Sequence, residues 1–91
     1  MNYNINDIVK LKTFFGTIIP ENDIDDTENY WKLIGLYGKI IAIKSNPHPA
    51  YPKKGLQVLV KFEENLDLFN LMNHNNEKNS LWLFQEDLER E

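Results

Sequence analysis

Four short runs of the chain carry the period-two alternation of a β-strand. In residues 5–12, Val9 and Leu11 alternate with Ile8, Lys10 and Lys12. Residues 38–44 hold Ile40, Ile41 and Ile43. Residues 56–62 give the clearest pattern, with Val58, Val60 and Phe62 on one face and Gln57, Leu59 and Lys61 on the other. Residues 81–84 form the fourth run. β-Branched and aromatic side chains at this period, in runs this short, predict strands rather than helices. The expected core is Val9, Leu11, Ile40, Val58, Val60 and Phe62 on adjacent strands.

The breakers fall between these runs. Pro47, Pro49 and Pro52 cannot donate to a ladder, so residues 45–55, ending at Gly55, predict a loop joining the second and third strands. Gly35 and Gly38 bracket Leu36 and Tyr37, which suits a turn with positive φ or a sharp start to the next strand. Residues 13–34 form a long excursion. Its opening, Phe14 to Ile19, predicts a short strand or hairpin arm. Thr27 is a candidate N-cap for one helical turn, because Tyr30, Trp31 and Ile34 lie three or four apart. Residues 66–72 predict a short helix capped by Asn65 or by the Asn-rich run that follows. The tail, residues 86–91, predicts a last short strand or a single turn.

Composition narrows the class. Ninety-one residues, 42% of them apolar and 26% charged, describe one globular domain over residues 1–91. The absence of cysteine removes a disulfide framework, a thiolate zinc site and a thiol nucleophile together. No apolar run reaches the roughly 18–20 residues of a membrane span. The first residues have neither the basic start nor the apolar stretch of a signal peptide, so a cytoplasmic protein is expected. Fourteen acids against ten bases leave a net charge of -4. Nucleic-acid binders ordinarily carry a basic excess, so this charge favours a basic protein partner over a nucleic acid or an anionic membrane. The twelve asparagines belong in turns and loops.

The order of these motifs resembles the small SH3-like barrels of bacterial proteins, including the KOW-type and CAP-Gly-type variants. Asp7-Ile8-Val9-Lys10-Leu11-Lys12 matches their opening V-x-L strand, and Gly35-Leu36-Tyr37-Gly38-Lys39-Ile40 their G-x-x-G-x-I strand. Leu59-Val60-Lys61-Phe62 matches the apolar V-x-F strand, and Leu81-Trp82 with Asp87-Leu88-Glu89 the Trp-containing strand ending in D-L. The resemblance spans nearly the whole chain and implies an all-β, SH3-like barrel of about five strands with one or two short helical turns. Two departures stand out: the excursion after the first strand and the long segment 63–80. Asn73-His74-Asn75 and Asn79-Ser80-Leu81-Trp82 in the latter look like a local signature with no activity attached.

The candidate chemistry is sparse. His48 and His74 are the only histidines, and no His/acid cluster has metal-ligand spacing. His48, between two prolines, reads as a solvated loop residue, and His74 as hydrogen-bonded to local backbone. Ser80 lacks a nucleophile elbow, so it gives His74 nothing to activate. Glu21, Asp23, Asp25, Asp26 and Glu28 form an acidic cluster that lacks the glycine and spacing of a calcium loop. The cluster reads either as a solvated loop or as a docking surface for a basic protein, with Tyr30 and Trp31 directly behind it. Trp82 with Phe84 reads as core before base-stacking platform.

No catalytic residue, metal or cofactor is therefore expected. The expected function is non-catalytic protein binding through Asp23, Asp25, Asp26, Glu28, Tyr30 and Trp31. Its most concrete form is a small acidic immunity or inhibitor protein that blocks a basic toxin or nuclease. The rival is a nucleic-acid- or ribosome-associated barrel, which would gather Lys10, Lys12, Lys39, Lys44, Lys53, Lys54 and Lys61 on one face.

Overall fold

The computed structural model describes residues 3–20 and 23–91. Each of the four alternating runs forms a strand, and the tail adds a fifth. They are β1 (Ile8–Leu11), β2 (Tyr37–Ile43), β3 (Gln57–Phe62), β4 (Ser80–Phe84) and β5 (Leu88–Arg90). All five join one antiparallel sheet in the order β4-β3-β2-β1-β5. The chain thus meanders through four strands and returns to lay β5 against β1. Helical structure among the described residues is limited to 3-10 turns of three or four residues. The molecule is all-β.

Alternation sets the core as expected. Val9, Leu11, Ile40, Val58 and Val60 are each 0% exposed and Phe62 is 3% exposed. Leu33, Leu66, Leu71, Leu83 and Leu88 join them from the loops and the last strands. Gly38 is required by the sheet itself. A Cβ there would meet Val60 Cγ1 at 2.6 Å and the Lys61 carbonyl oxygen at 2.8 Å. Gly35 supplies the positive φ, at 94°, that turns the chain into β2. A register shift between Ile40 and Ala42 interrupts the β2–β3 ladder, and such a bulge bends and twists the strand.

The loops refine the expectations. The helical turn expected after Thr27 is two 3-10 turns, Asp26–Glu28 and Tyr30–Leu33. Asp25, not Thr27, is the cap: its carboxylate accepts from the Thr27 amide at 3.0 Å and the Thr27 hydroxyl at 2.7 Å. Asn65 caps the 3-10 turn Leu66–Phe69 as expected, accepting from the Asp67 amide at 3.0 Å. The tail is both of its alternatives, a 3-10 turn at Gln85–Asp87 followed by β5. On β4, Leu81 and Leu83 face the core. Trp82 is half-buried on the other side of the strand, with the Lys44 ammonium 4.9 Å from its ring centre.

Candidate functional site

The excursion opens with a tight turn. Phe14 and Thr17 exchange backbone hydrogen bonds of 2.9 and 3.2 Å around Phe15 and Gly16. Those two residues have φ of 51° and 78°, the paired positive values of a two-residue hairpin turn. A bulky aromatic is uncommon in this region, so something must hold Phe15 there. Asp87 does so. Its carboxylate, in a residue 1% exposed, accepts from the Thr13 hydroxyl at 2.6 Å, the Gly16 amide at 2.9 Å and the Phe15 amide at 3.2 Å. Its backbone oxygen also accepts from the Lys12 and Thr13 amides. A buried carboxylate is stable only when its lone pairs are filled, and the turn fills them.

This anchor displays an aromatic platform. The Phe15 ring, 42% exposed, packs 5.6 Å from Tyr51 and 5.6 Å from Phe84. Phe84 is buried beneath them at the end of β4. Tyr51 and His48 come from the Pro-rich loop, with ring centres 5.4 Å apart. His48 Nδ1 accepts from the Ala50 amide at 3.0 Å, so His48 is a packed loop residue and not a freely solvated one. Ile18 and Ile19 follow the turn with exposures of 69% and 68%. On the far side Phe14 meets Trp31 edge-on at 4.8 Å, and Trp31 Nε1 donates to Thr17 Oγ1 at 3.0 Å.

The acidic cluster behaves differently from a bare charged loop. Glu21 lies outside the described residues. Asp23 and Asp25 are exposed, and the Thr27 hydroxyl, then the Thr27 amide, hold the Asp25 carboxyl below its usual range. Asp26 pairs with Lys32 Nζ at 2.7 Å and accepts from Asn70 Nδ2 at 3.2 Å. The bond from Lys32, then that from Asn70, lowers its pKa. Glu28 pairs with His74 Nε2 at 2.9 Å, so the partner of His74 is a carboxylate and not local backbone. Tyr30 is 5% exposed, and its hydroxyl donates to the Met72 carbonyl at 2.6 Å. Burial, then the neighbouring Glu28 carboxylate, pushes its phenol well above the usual value. Tyr30 is therefore a core residue, and the partner-facing role expected of it is corrected. Trp31 is half-buried under the platform's edge.

The Asn-rich signature is architecture. Asn73 Nδ2 donates to the Asn75 and Glu77 carbonyls at 2.7 and 3.0 Å, and its Oδ1 accepts from the Ser80 amide at 3.0 Å. Ser80 is 1% exposed and its hydroxyl donates to the Glu77 carbonyl at 2.6 Å. Asn79, at φ 59°, accepts from the Leu66 amide at 3.2 Å. Among the described residues no group of three His, Asp or Glu is placed to hold a metal ion.

The lysines of the rival reading are mostly answered by acids or rings. Lys10 pairs with Glu89 at 3.0 Å, Lys61 with Glu77 at 2.9 Å, and Lys54 with Glu86. The bonds from Glu89 and Glu86 raise the pKa values of Lys10 and Lys54. Sequence reasoning missed Phe15, Tyr51 and Asp87 as site residues. The signal for Asp87 was its place in the closing D-L motif; the platform left none, because two loops and the end of β4, distant in sequence, build it. No helix among the described residues is long and apolar enough to cross a membrane. Comparison with protein-family models, curated proteins and solved structures finds no match.

Proposed function

We propose that the chain is a non-catalytic protein-binding module on an SH3-like barrel, and most concretely a small acidic inhibitor or immunity protein for a basic toxin such as a nuclease. The barrel reading is supported by the strand order β4-β3-β2-β1-β5 with a 3-10 turn before the returning β5. One observation carries the binding reading: exposed Phe15, whose turn is anchored by the buried Asp87 carboxylate, and exposed Tyr51 pack against each other and over Phe84, and exposed Ile18 and Ile19 follow Phe15 in the chain. A preorganised aromatic surface of this kind loses little side-chain entropy on docking, which is what interface anchors require. The basic character of the partner is supported by the net charge of -4 and by Asp23, Asp25 and Asp26 on the same excursion. The non-catalytic reading is supported by the engagement of Ser80 and His74 in loop architecture.

The test is capture from the source cell with two baits, the wild type and a Phe15→Ala/Tyr51→Ala variant. The expected result is a basic protein retained by the wild type alone. Identical recoveries from both baits would remove the platform as the docking face. An acidic protein as the retained partner would overturn the inhibitor reading while leaving the face intact.

A further inference from the structure

Beside the platform lies a cleft of about 500 Å³ whose lining includes Lys12, Lys53, Lys54, Gln85 and Glu86. Glu86 answers one of the three ammonium groups, that of Lys54. Lys12 and Lys53 are exposed and have no ion-pair partner among the described residues. A chain of net charge -4 thus concentrates two unanswered cations in one concave place. The cleft is continuous with the platform, since Lys54 lines it and also sits 5.4 Å over the Phe84 ring. Ring contacts run from Trp31 through Phe14 and Phe15 to Phe84. Next to Trp31 in sequence is Lys32, which pairs with Asp26 of the acidic turn. The rings therefore lead from Trp31, the sequence neighbour of the Lys32–Asp26 pair, to the lysine-lined cleft beside Phe84.

We infer that the protein docked on this platform presents a carboxylate side chain next to its apolar anchor, and that this carboxylate enters the cleft between Lys12 and Lys53. The inference rests on the protein-docking reading above and adds the chemistry of the recognised segment. A partner that is basic overall then binds in one orientation: its cations face the acidic turn and its acid faces the cleft. Opposite charges at two ends of one contact fix register more than they raise affinity.

The probes are two fluorescein-labelled peptides that share a Trp-Leu anchor and differ only in the next two residues, Glu-Glu in one and Gln-Gln in the other. Fluorescence anisotropy at low salt should show the acidic peptide binding about five- to tenfold more tightly, the margin expected of two exposed ion pairs. A Lys12→Gln/Lys53→Gln variant should bind both peptides equally, with an unchanged melting temperature. Equal affinities on the wild type, a margin that survives in the variant, or no binding of either peptide would each overturn the inference. Phe15→Ala separates the two readings. A parallel loss for both peptides supports the platform, and an acidic margin kept with no loss on Phe15→Ala removes the platform while leaving the cleft.

Discussion

The two long departures from the sheet, residues 13–34 and 63–79, are similar in length and opposite in construction. The first turns apolar side chains outward. Phe15, Ile18, Ile19 and Ile24 are all exposed, and the turn that carries the first of them is fixed by a carboxylate from the far end of the chain. The second closes on itself. Asn73, Asn75 and Ser80 bond to backbone within a few residues, and Asn65 and Asn79 satisfy amides of its 3-10 turn. The second also exposes apolar side chains, Leu68 at 75% and Met72 at 50%, so the two differ in how their backbone is held and in the aromatic rings that only the first displays. A loop held from outside can keep aromatic rings on its surface. The two meet at a seam where Tyr30 and Thr27 bond to Met72, Asp26 to Asn70 and Glu28 to His74.

Breaking the sheet under both departures should have the largest effect. Phe62, at 3% exposure, packs in the central core. Truncation to Ala should cost about 3–5 kcal/mol, a large part of a small domain's stability, read by denaturant unfolding. A midpoint within a few tenths of a molar of the wild type would remove Phe62 from the core. The contrast itself is sharpened next. Asp87→Ala leaves the Thr13 hydroxyl and the Phe15 and Gly16 amides without their acceptor, so it should cost about 3 kcal/mol. It should also broaden the amide resonances of residues 13–19. Asn73→Ala removes three bonds from a more solvated loop, where water replaces them, and should cost about 1 kcal/mol. It should leave residues 13–19 and the platform unchanged. Equal costs, or a disturbed platform in Asn73→Ala, would show that the two loops are not independently built.

The seam is tested by Tyr30→Phe. Losing the bond to the Met72 carbonyl should cost about 1 kcal/mol at neutral pH. The pH dependence gives the sharper readout. Burial raises the folded-state pKa of Tyr30, and also that of Tyr3, so the folded protein keeps these protons longer than the unfolded chain does. That stabilisation is complete below the ordinary tyrosine value near 10 and is lost as pH rises above it. Wild-type stability should therefore fall steeply in alkali, and Tyr30→Phe should flatten part of the fall. An unchanged alkaline profile would place the Tyr30 phenol in solvent.

How much of this was legible in the sequence depended on the range of the interactions. Val9, Leu11, Ile40, Val58, Val60 and Phe62 were legible because alternation within one strand reports which face is buried. The proline loop and the Asn65 cap were legible because their causes lie within a few residues. Asp87 was not, since its carboxylate reaches residues more than 70 positions away. The burial of Tyr30 was not legible for the same reason. The sequence placed both Tyr30 and Trp31 behind the acids, and only the packing of the Leu66–Met72 segment, which brings the Met72 carbonyl to the Tyr30 hydroxyl, decides which one turns inward. Trp82 shows the converse limit. Alternation puts it opposite Leu81 and Leu83, but the Lys44 side chain that covers it comes from the end of β2.

The smallest expected effect concerns the acids that the excursion does not use internally. Asp25 caps a turn, Asp26 holds Lys32 and Glu28 faces His74, so reversing any of them would disturb structure and charge together. Asp23 is exposed and has no hydrogen bond or ion pair among the described residues. Asp23→Lys should leave the melting temperature within about one degree, because an isolated exposed charge contributes little to stability. Toward a basic partner it should slow association by about two- to threefold at low salt and leave dissociation unchanged, because long-range charge acts on encounter. The difference should vanish at about 0.5 M salt, where the screening length is shorter than the loop. Phe15→Ala should show the opposite division, with dissociation faster and association preserved. If Asp23→Lys changed dissociation instead, Asp23 would be a contact residue, and the docking face would extend from the aromatic rings into the acidic turn.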